Sequence, residues 1–175
     1  MNDNPPPPAL LHLWQDLALN PALWAHRTLP WFAEGEVIPC LADRFGRQQS
    51  MTAGTWAAWQ AMEKQAAADG IRLEVISAYR SWRAQAEIWQ RKRQQGLKDD
   101  EILRFSAPPG LSEHHSGRAL DLAAGEHEVL TGAFARSPAY RWLRHHAHRF
   151  GFVESYPSGN PAGFQPEPWH WCWHP

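Results

Sequence analysis

The sequence lacks the features that would place the protein on nucleic acid or in a membrane. It carries 17 basic and 18 acidic side chains in 175 residues, which gives a formal net charge of -1. This balance offers no electrostatic basis for binding nucleic acid or an anionic membrane surface. No apolar run approaches the roughly 18–20 residues of a membrane-spanning helix. We therefore expect no nucleic-acid partner and no membrane span. We also expect a monomeric chain.

Export signals and disulfide bonds are also scarce. The N-terminus, Met1 followed by Asn-Asp-Asn and four prolines, has no basic segment and no apolar segment of a secretory signal. The sequence thus favours a cytoplasmic location over export by an unrecognised route. Two cysteines, Cys40 and Cys172, are too few for a disulfide framework. Whether these two pair is left open.

The length suits one compact domain. Apolar residues make up 43% of the chain, enough for a substantial core. The prolines near the N-terminus favour a stiff, poorly ordered polyproline segment. We predict a disordered leader over residues 1–8 and a single domain over residues 9–175.

Hydrophobic periodicity predicts both helices and strands. Trp56, Trp59 and Met62 recur at helical spacing, whereas Leu73 and Val75 alternate with charged residues as in a strand. Helices are predicted at 9–19, from Thr52 or Thr55 to 69, at 81–95 and at 137–150, with a helical turn at 99–105. Strands are predicted at 71–77, at the end of 111–123, at 152–156 and at 164–173, with loops and one or two short strands over 20–50. Because these elements do not alternate regularly, the fold class is predicted to be α+β.

Tryptophan and histidine are abundant, with eleven and ten residues respectively. Tryptophan is expected mostly in the core, although one or two could line a groove for an extended ligand. Histidine is the commonest metal ligand and general base. Ten histidines cannot all be functional, so spacing and context must select among them.

The first candidate segment spans residues 112–121 and reads Ser-Glu-His-His-Ser-Gly-Arg-Ala-Leu-Asp. On a strand, Asp121 shares a face with Ala119 and Ala123, two small residues that leave room for an ion and a substrate. His114 is too far along the chain to be its neighbour on one straight strand. Gly117 lies between them and permits a turn that could return the imidazole to the carboxylate.

The second candidate segment spans residues 167–171 and reads Glu-Pro-Trp-His-Trp. Pro168 favours an extended conformation at Glu167, and Trp169 and Trp171 fall on the face opposite His170. A catalytic zinc site needs about three protein ligands, an open position for water and a base beside that water. The two segments together offer all of these protein groups.

These motifs carry a family resemblance. Ser-x-His-x-x-Gly-x-Ala-x-Asp followed by Glu-Pro-Trp-His-Trp resembles the VanY-type D-alanyl-D-alanine carboxypeptidases, which are zinc peptidases. The segment Ser77-Ala78-Tyr79-Arg80-Ser81, with Gln85, resembles the end of that family's substrate-binding strand. Residues 147–152 resemble its helix-to-strand junction. The resemblance runs from about residue 50 to 173 and does not extend to the N-terminal 50 residues.

The resemblance implies a fold and a set of roles. The fold would be a small central antiparallel sheet flanked by helices, with the metal in an open cleft. One zinc ion would be held by His114, Asp121 and His170. Glu167 would take a proton from the attacking water and pass it to the leaving amine.

The remaining roles concern the substrate. Arg80 would pair with the substrate carboxylate or with the developing oxyanion, for which its planar guanidinium is suited. The other implied contacts with the peptide come from Tyr79, Gln85 and Ser112.

The implied activity is removal of a C-terminal D-alanine from peptidoglycan-type peptides. An endopeptidase of the endolysin kind is the main alternative, and D,D- or L,D-specificity is left open. A non-catalytic zinc-containing binding module is a further alternative, but Glu167 and Arg80 are both present and favour an enzyme. A purely structural zinc site would need a closed set of four ligands, and the motifs supply three.

Several residues near these motifs receive ordinary structural interpretations. His115 should point away from its neighbour His114. His145 and His148 are expected on a polar helix face, with a supporting role for His148 at the metal site as the alternative. His174 should be exposed to solvent. Cys172 shares strand parity with His170 and is expected to pack in the core, with a place near the metal as the alternative.

Overall fold

The computed structural model describes residues 4–125 and 129–175. Its helices are α1 (Pro8–Asp16), α2 (Ala53–Ala68), α3 (Trp82–Gln94), α4 (Asp99–Ile102) and α5 (Pro138–His146). Its strands are β1 (Ile38–Ala42), β2 (Gln48–Met51), β3 (Glu74–Ser77), β4 (Ala119–Ala123), β5 (Phe152–Glu154) and β6 (His170–Trp173). Short 3-10 turns lie at Pro21–Leu23, Glu113–Ser116, Gly132–Arg136 and Ala147–Phe150. The predicted α+β class is confirmed.

A four-stranded antiparallel sheet in the order β3-β4-β6-β5 forms the centre of the fold. In its register, Asp121 on β4 lies opposite Ser77 on β3 and opposite His170 on β6. Strands β1 and β2 form a separate antiparallel hairpin, which matches the short strands predicted within residues 20–50. The sheet therefore brings the two candidate segments together at one point.

Hydrogen-bonded N-caps fix the starts of the two longest helices. The Thr52 hydroxyl accepts from the Thr55 N–H at 3.1 Å, and the Ser81 hydroxyl accepts from the Ala84 N–H at 3.1 Å. Such caps satisfy backbone donors that the first helical turn leaves free. The Ser81 cap makes α3 begin immediately after Arg80, which holds that residue at a rigid junction.

The buried apolar residues form two hydrophobic cores. The first contains Leu120 and Leu122 of β4 with Trp171 of β6, packed with residues of α2 and α5. The second joins α1 to α3 through residues such as Trp14 and Trp89. All eleven tryptophans belong to these cores or pack against them. This confirms that tryptophan serves mostly in the core.

Several predicted boundaries were wrong. The last strand begins only at His170, not near residue 164, because Pro166 and Pro168 have no N–H to donate to a sheet. The helix predicted to reach residue 150 leaves the α-conformation after His146 and continues as the 3-10 turn Ala147–Phe150. The strands predicted at 71–77 and 152–156 are shorter, as β3 and β5.

The N-terminal region differs in detail from its prediction. Helix α1 begins at Pro8, since proline is tolerated at the first helical position, and ends at Asp16 rather than near residue 19. Residues 1–3 of the predicted leader lie outside the described residues. Both Cys40 and Cys172 are free cysteines, so no disulfide joins them. No helix in the described ranges is long and apolar enough to cross a membrane.

Candidate metal centre

Asp121 lies at the centre of the candidate site, on an inner strand of the four-stranded sheet. One carboxylate oxygen, Oδ1, is 3.0 Å from His170 Nδ1, and the other, Oδ2, is 3.1 Å from His114 Nε2. The two imidazole rings meet edge to face with centroids 4.9 Å apart. The structure thus brings together the three predicted metal ligands from two distant segments.

The turn at Glu113–Ser116 carries His114 back to the sheet. Gly117 ends this turn with φ of 69°, a left-handed conformation. A Cβ atom at Gly117 would lie 2.5 Å from Val37 Cγ1, so only glycine fits both the backbone and the space. The His114 Nδ1–H donates to the Ala78 carbonyl at 2.6 Å. That bond leaves Nε2, with its lone pair, facing Asp121.

The donor set fits a zinc ion. The ligand atoms of His114, Asp121 and His170 all lie within 4.8 Å of one another. Two imidazole nitrogens and a carboxylate are typical catalytic zinc ligands, and three of them leave a fourth position open. The three residues are only 2–5% exposed. The three ligands are therefore almost fully shielded from solvent, and the open cleft above them stays a prediction.

Electrostatics favours the protonation states that ligation requires at His114 and Asp121. Burial lowers the pKa of His114, which favours the neutral imidazole that binds metal. Burial alone would raise the pKa of Asp121, but His114 and His170 outweigh it and hold this pKa well below its usual range. Asp121 is therefore an ionised carboxylate. At His170, burial alone would lower the pKa, but hydrogen bonds with Asp121 and Glu113 outweigh it and raise the pKa to about 10, so this ligand must lose a proton to bind metal.

Glu167 lies beside this centre, with Oε2 3.9 Å from His170 Nδ1. Its backbone is fixed on both sides, because its N–H donates to the Tyr156 carbonyl at 2.9 Å and its carbonyl accepts from the His170 N–H at 3.0 Å. Burial raises the pKa of Glu167 to about 7, against the opposing effect of His170. A carboxylate with a pKa near neutrality is well matched to general-base catalysis.

Arg80 approaches the same centre from the end of β3. Its Nη2 is 3.8 Å from Asp121 Oδ2 and donates to Ser77 Oγ at 3.0 Å. Its Nη1 donates to Gln85 Oε1 at 2.7 Å. Gln85 is 1% exposed and is anchored in turn, since its Nε2 donates to the Ala107 carbonyl at 2.7 Å. In this structure Gln85 holds the guanidinium in place, and its predicted contact with the peptide stays a prediction.

The two other predicted substrate residues flank these groups. Tyr79 is half-buried directly before Arg80, and its N–H donates to the Ser50 carbonyl at 2.9 Å. Ser112 is buried directly before the turn that carries His114. Their positions are compatible with contacts to a bound peptide, which stay predictions.

Three further histidines considered in the sequence analysis, His115, His145 and His148, are not part of the converging ligand group. His115 points away, as predicted, because its Nδ1 bonds the Arg80 carbonyl at 2.6 Å and its Nε2 accepts from the Gly110 N–H at 3.0 Å. His145 and His148 are exposed, as expected for a polar face. The outer nitrogens of the ligand rings contact the Ala78 carbonyl and Glu113, a residue that the sequence did not predict.

Glu113 contacts a predicted ligand although the sequence analysis did not select it. Its Oε2 is 2.9 Å from His170 Nε2, on the ring edge opposite Asp121. It occupies the unspecified position of the Ser-x-His motif, so the motif gave no reason to choose it. Its place next to His114 in a one-turn helix is the signal that could have identified it.

The N-terminal segment at residues 32–35 also contributes to the site. The sequence did not predict this contribution. The Phe32 N–H donates to the Gly110 carbonyl and the Gly35 N–H to the His115 carbonyl, each at 2.8 Å. The Trp82 indole donates to the Phe32 carbonyl at 2.9 Å. This segment therefore ties the ligand-bearing turn to the start of α3. It has no hydrophobic periodicity, so no pattern predicted its course.

Known proteins resemble this chain in sequence. A D-alanyl-D-alanine carboxypeptidase from Enterococcus faecalis is 37% identical over 117 residues, which cover 61% of this chain and 41% of that protein. The putative carboxypeptidase YodJ of Bacillus subtilis is 30% identical over 106 residues, covering 58% of this chain and 38% of that protein. The chain thus spans about two fifths of the length of these curated relatives.

Solved structures agree in fold. VanYB in complex with D-alanine-D-alanine matches with a TM-score of 0.65 and 29% identity, over 82% of this chain and 80% of that one. The family model described as VanY, D-alanyl-D-alanine carboxypeptidase, matches residues 48–175, which include every predicted ligand and Glu167. The chain therefore belongs to the VanY family of D-alanyl-D-alanine carboxypeptidases.

Proposed function

We propose that this protein is a zinc-dependent carboxypeptidase that removes a C-terminal D-amino acid, D-alanine first, from peptidoglycan-type peptides. The observation that carries the proposal is the convergence of three ligand atoms within 4.8 Å, with Glu167 beside them. One zinc ion per chain would be held by His114, Asp121 and His170.

Two solved structures support this substrate and this metal. VanYB has been crystallised with D-alanine-D-alanine. A mutant of the D,D-pentapeptidase VanY from a VanB-type resistance cassette has been crystallised with Zn(II) and matches with a TM-score of 0.64, at 29% identity, over 83% of this chain and 82% of that one. Both share the family and the fold of this chain, so the same chemistry is the simplest proposal for it.

The protein's own groups divide the reaction between them. A zinc ion in this site would supply Lewis acidity toward the scissile carbonyl and increase the acidity of the attacking water. Glu167 accepts the proton of that water and then delivers it to the nitrogen of the departing amino acid. Burial raises the pKa of Glu167 toward neutrality, which helps one group both to accept a proton and to release it.

Arg80 supplies a fixed positive charge for the substrate. Ser77 and Gln85 hold its guanidinium within 3.8 Å of the Asp121 carboxylate, so it does not need to be ordered when substrate binds. A carboxypeptidase must recognise the free carboxylate next to the scissile bond. We assign that recognition to Arg80, through charge-assisted hydrogen bonds.

Amidation of the substrate tests this assignment. Purified protein would be incubated with zinc and defined tetra-, penta- and cross-linked muropeptides, each with a free or amidated C-terminus, and products identified by mass. We expect amidation to reduce cleavage roughly ten- to a hundredfold, because losing a charge-assisted pair costs about 1.5–3 kcal/mol. Equal cleavage of both forms would indicate an endopeptidase, with Arg80 serving the oxyanion instead.

A variant of Arg80 tests whether this residue causes the effect of amidation on cleavage. Arg80→Ala should narrow the gap between free and amidated peptides, because it removes the group that distinguishes them. Arg72→Ala is a matched control, since this arginine is largely exposed and pairs with Glu74 outside the site. It should preserve the full discrimination.

The pH dependence should reflect Glu167. Because the base must be ionised, kcat/KM should fall as the pH drops through the pKa of Glu167, which burial raises to about 7. The charge of a bound zinc ion favours the carboxylate and moves this acid limb below 7. Lys92 also lowers the pKa of Glu167, so Lys92→Met should move the limb to higher pH.

The control for Lys92 is another helical lysine. Lys64 on α2 is exposed, and Lys64→Met should leave the pH profile unchanged. The measurement is kcat/KM from pH 4 to 9 for the three proteins. An acid limb at the same pH in wild type and Lys92→Met would contradict the electrostatic influence of Lys92 on the base.

A further inference from the structure

Glu113 contacts the ligand His170 on the side away from the metal. The imidazole separates two carboxylates, with Nδ1 at 3.0 Å from Asp121 Oδ1 and Nε2 at 2.9 Å from Glu113 Oε2. An ion that His170 binds through Nδ1 therefore lies on the opposite edge of the ring from Glu113. Consistent with this geometry, Glu113 is not part of the group of ligand atoms that converge on Asp121.

We propose that Glu113 is a positioning residue that accepts the Nε2–H of His170 and so presents Nδ1 to the zinc ion. A neutral histidine carries one ring proton, and the acceptor on one nitrogen decides which nitrogen is left to bind metal. Outer hydrogen bonds of this kind fix the tautomer and orientation of a ligand and increase its basicity. The inference rests on the zinc site of the proposed function.

The surroundings of Glu113 hold it in this role. Its side chain is only 17% exposed, and Ser155 hydrogen-bonds to it. The Cys172 thiol also lies against it from β6, which places this cysteine one contact away from the ligand. The Tyr156 ring packs on the His170 imidazole with centroids 4.7 Å apart. The ligand ring is thus restrained on its outer edge and on one face.

The position of Glu113 in the chain gives this contact a second consequence. Glu113 and His114 are consecutive in the turn Glu113–Ser116, yet Glu113 contacts His170 Nε2 whereas His114 Nε2 faces Asp121. One residue supplies a ligand and the other orients the ligand from the distant C-terminal segment. A single turn therefore sets the geometry of both histidines relative to Asp121.

Zinc affinity is the decisive measurement. Competition with a chromophoric chelator should show that Glu113→Ala binds zinc roughly 10–100-fold more weakly than wild type. Glu113→Gln should lose less, because its amide oxygen still accepts a hydrogen bond but carries no charge. If Glu113→Ala does not fold, the zinc affinity of Glu113→Gln still tests the proposal.

The control is Glu154→Gln. Glu154 has an 8% exposed side chain, lies on β5 and bonds Tyr140 and Arg144 away from the metal ligands. This variant should lose stability but keep wild-type zinc affinity. A loss of affinity as large as that of Glu113→Gln would mean that zinc binding reports general destabilisation, which would overturn the assignment.

Nuclear magnetic resonance gives a readout that a purely structural role would not change. In the zinc-loaded wild type, the ring signals of His170 should show an Nε2–H that exchanges slowly with water. Glu113→Gln and Glu113→Ala should accelerate that exchange progressively. Failure of the wild type to bind zinc would overturn the proposed function itself, whereas unchanged affinity and exchange in both variants would overturn only the role of Glu113.

Discussion

Glu167→Gln should bind zinc like the wild type and lose about 10²–10⁴-fold in kcat, the usual contribution of a general base. The substitution keeps the size of the side chain but removes its ability to accept and deliver a proton. The predicted ligands are not altered, since Glu167 is not one of the converging ligand residues and its Oε2 lies 3.9 Å from His170 Nδ1. The fold should also persist, because the Glu167 backbone makes the structural hydrogen bonds.

Release of D-alanine from a pentapeptide, followed at fixed zinc concentration, measures this loss. Glu74→Gln is a matched control, because Glu74 has a 14% exposed side chain against 15% for Glu167 but pairs with Arg44 and Arg72 outside the site. The control should retain activity. Wild-type turnover in Glu167→Gln would refute the mechanism, and loss of zinc from that variant would show that Glu167 helps to hold the metal.

The sequence predicted those parts of the site that depend on local pattern. Alternation placed Leu120 and Leu122 in the core and Asp121 on the other face, and β4 shows this arrangement. Gly117 indicated a turn because few other residues tolerate a left-handed backbone, and the structure has that turn. Such features are determined by neighbouring residues, which a single sequence displays directly.

Features set by long-range contacts were not predictable in the same way. The register that places His170 opposite Asp121 joins segments 49 residues apart, and the contact of Glu113 with His170 spans 57. The family resemblance supplied the first pairing, but nothing supplied the second. The last strand begins later than predicted because Pro166 and Pro168 have no N–H to donate to a sheet.

The adjacent histidines His114 and His115 provide the sharpest test of the ligand assignment. They are consecutive and both buried, at 3% and 0% exposure, so a substitution at either disturbs the same turn. The ring nitrogens of the two histidines have different partners. His115 has both nitrogens bonded to backbone groups, of Arg80 and Gly110, and burial lowers its pKa to about 4, so it stays neutral. His114 instead directs one nitrogen to Asp121.

We therefore expect opposite outcomes for the two alanine variants. His114→Ala should weaken zinc binding by more than the roughly 10–100-fold typical of an outer contact, because it removes a ligand itself, and activity should be lost with the metal. His115→Ala should retain near-wild-type zinc affinity but lose stability. It leaves the buried Gly110 N–H without an acceptor, which costs about 1–3 kcal/mol.

Metal analysis after dialysis, together with thermal unfolding in excess chelator, separates the two effects. Chelator removes the contribution of bound zinc to stability, so the remaining difference reports the fold alone. Both variants should then unfold below metal-free wild type, and His115→Ala should unfold at the lower temperature, because it loses two backbone hydrogen bonds and His114→Ala loses one. Full zinc occupancy in His114→Ala would contradict the assignment of the metal centre, and so would loss of zinc from a folded His115→Ala protein.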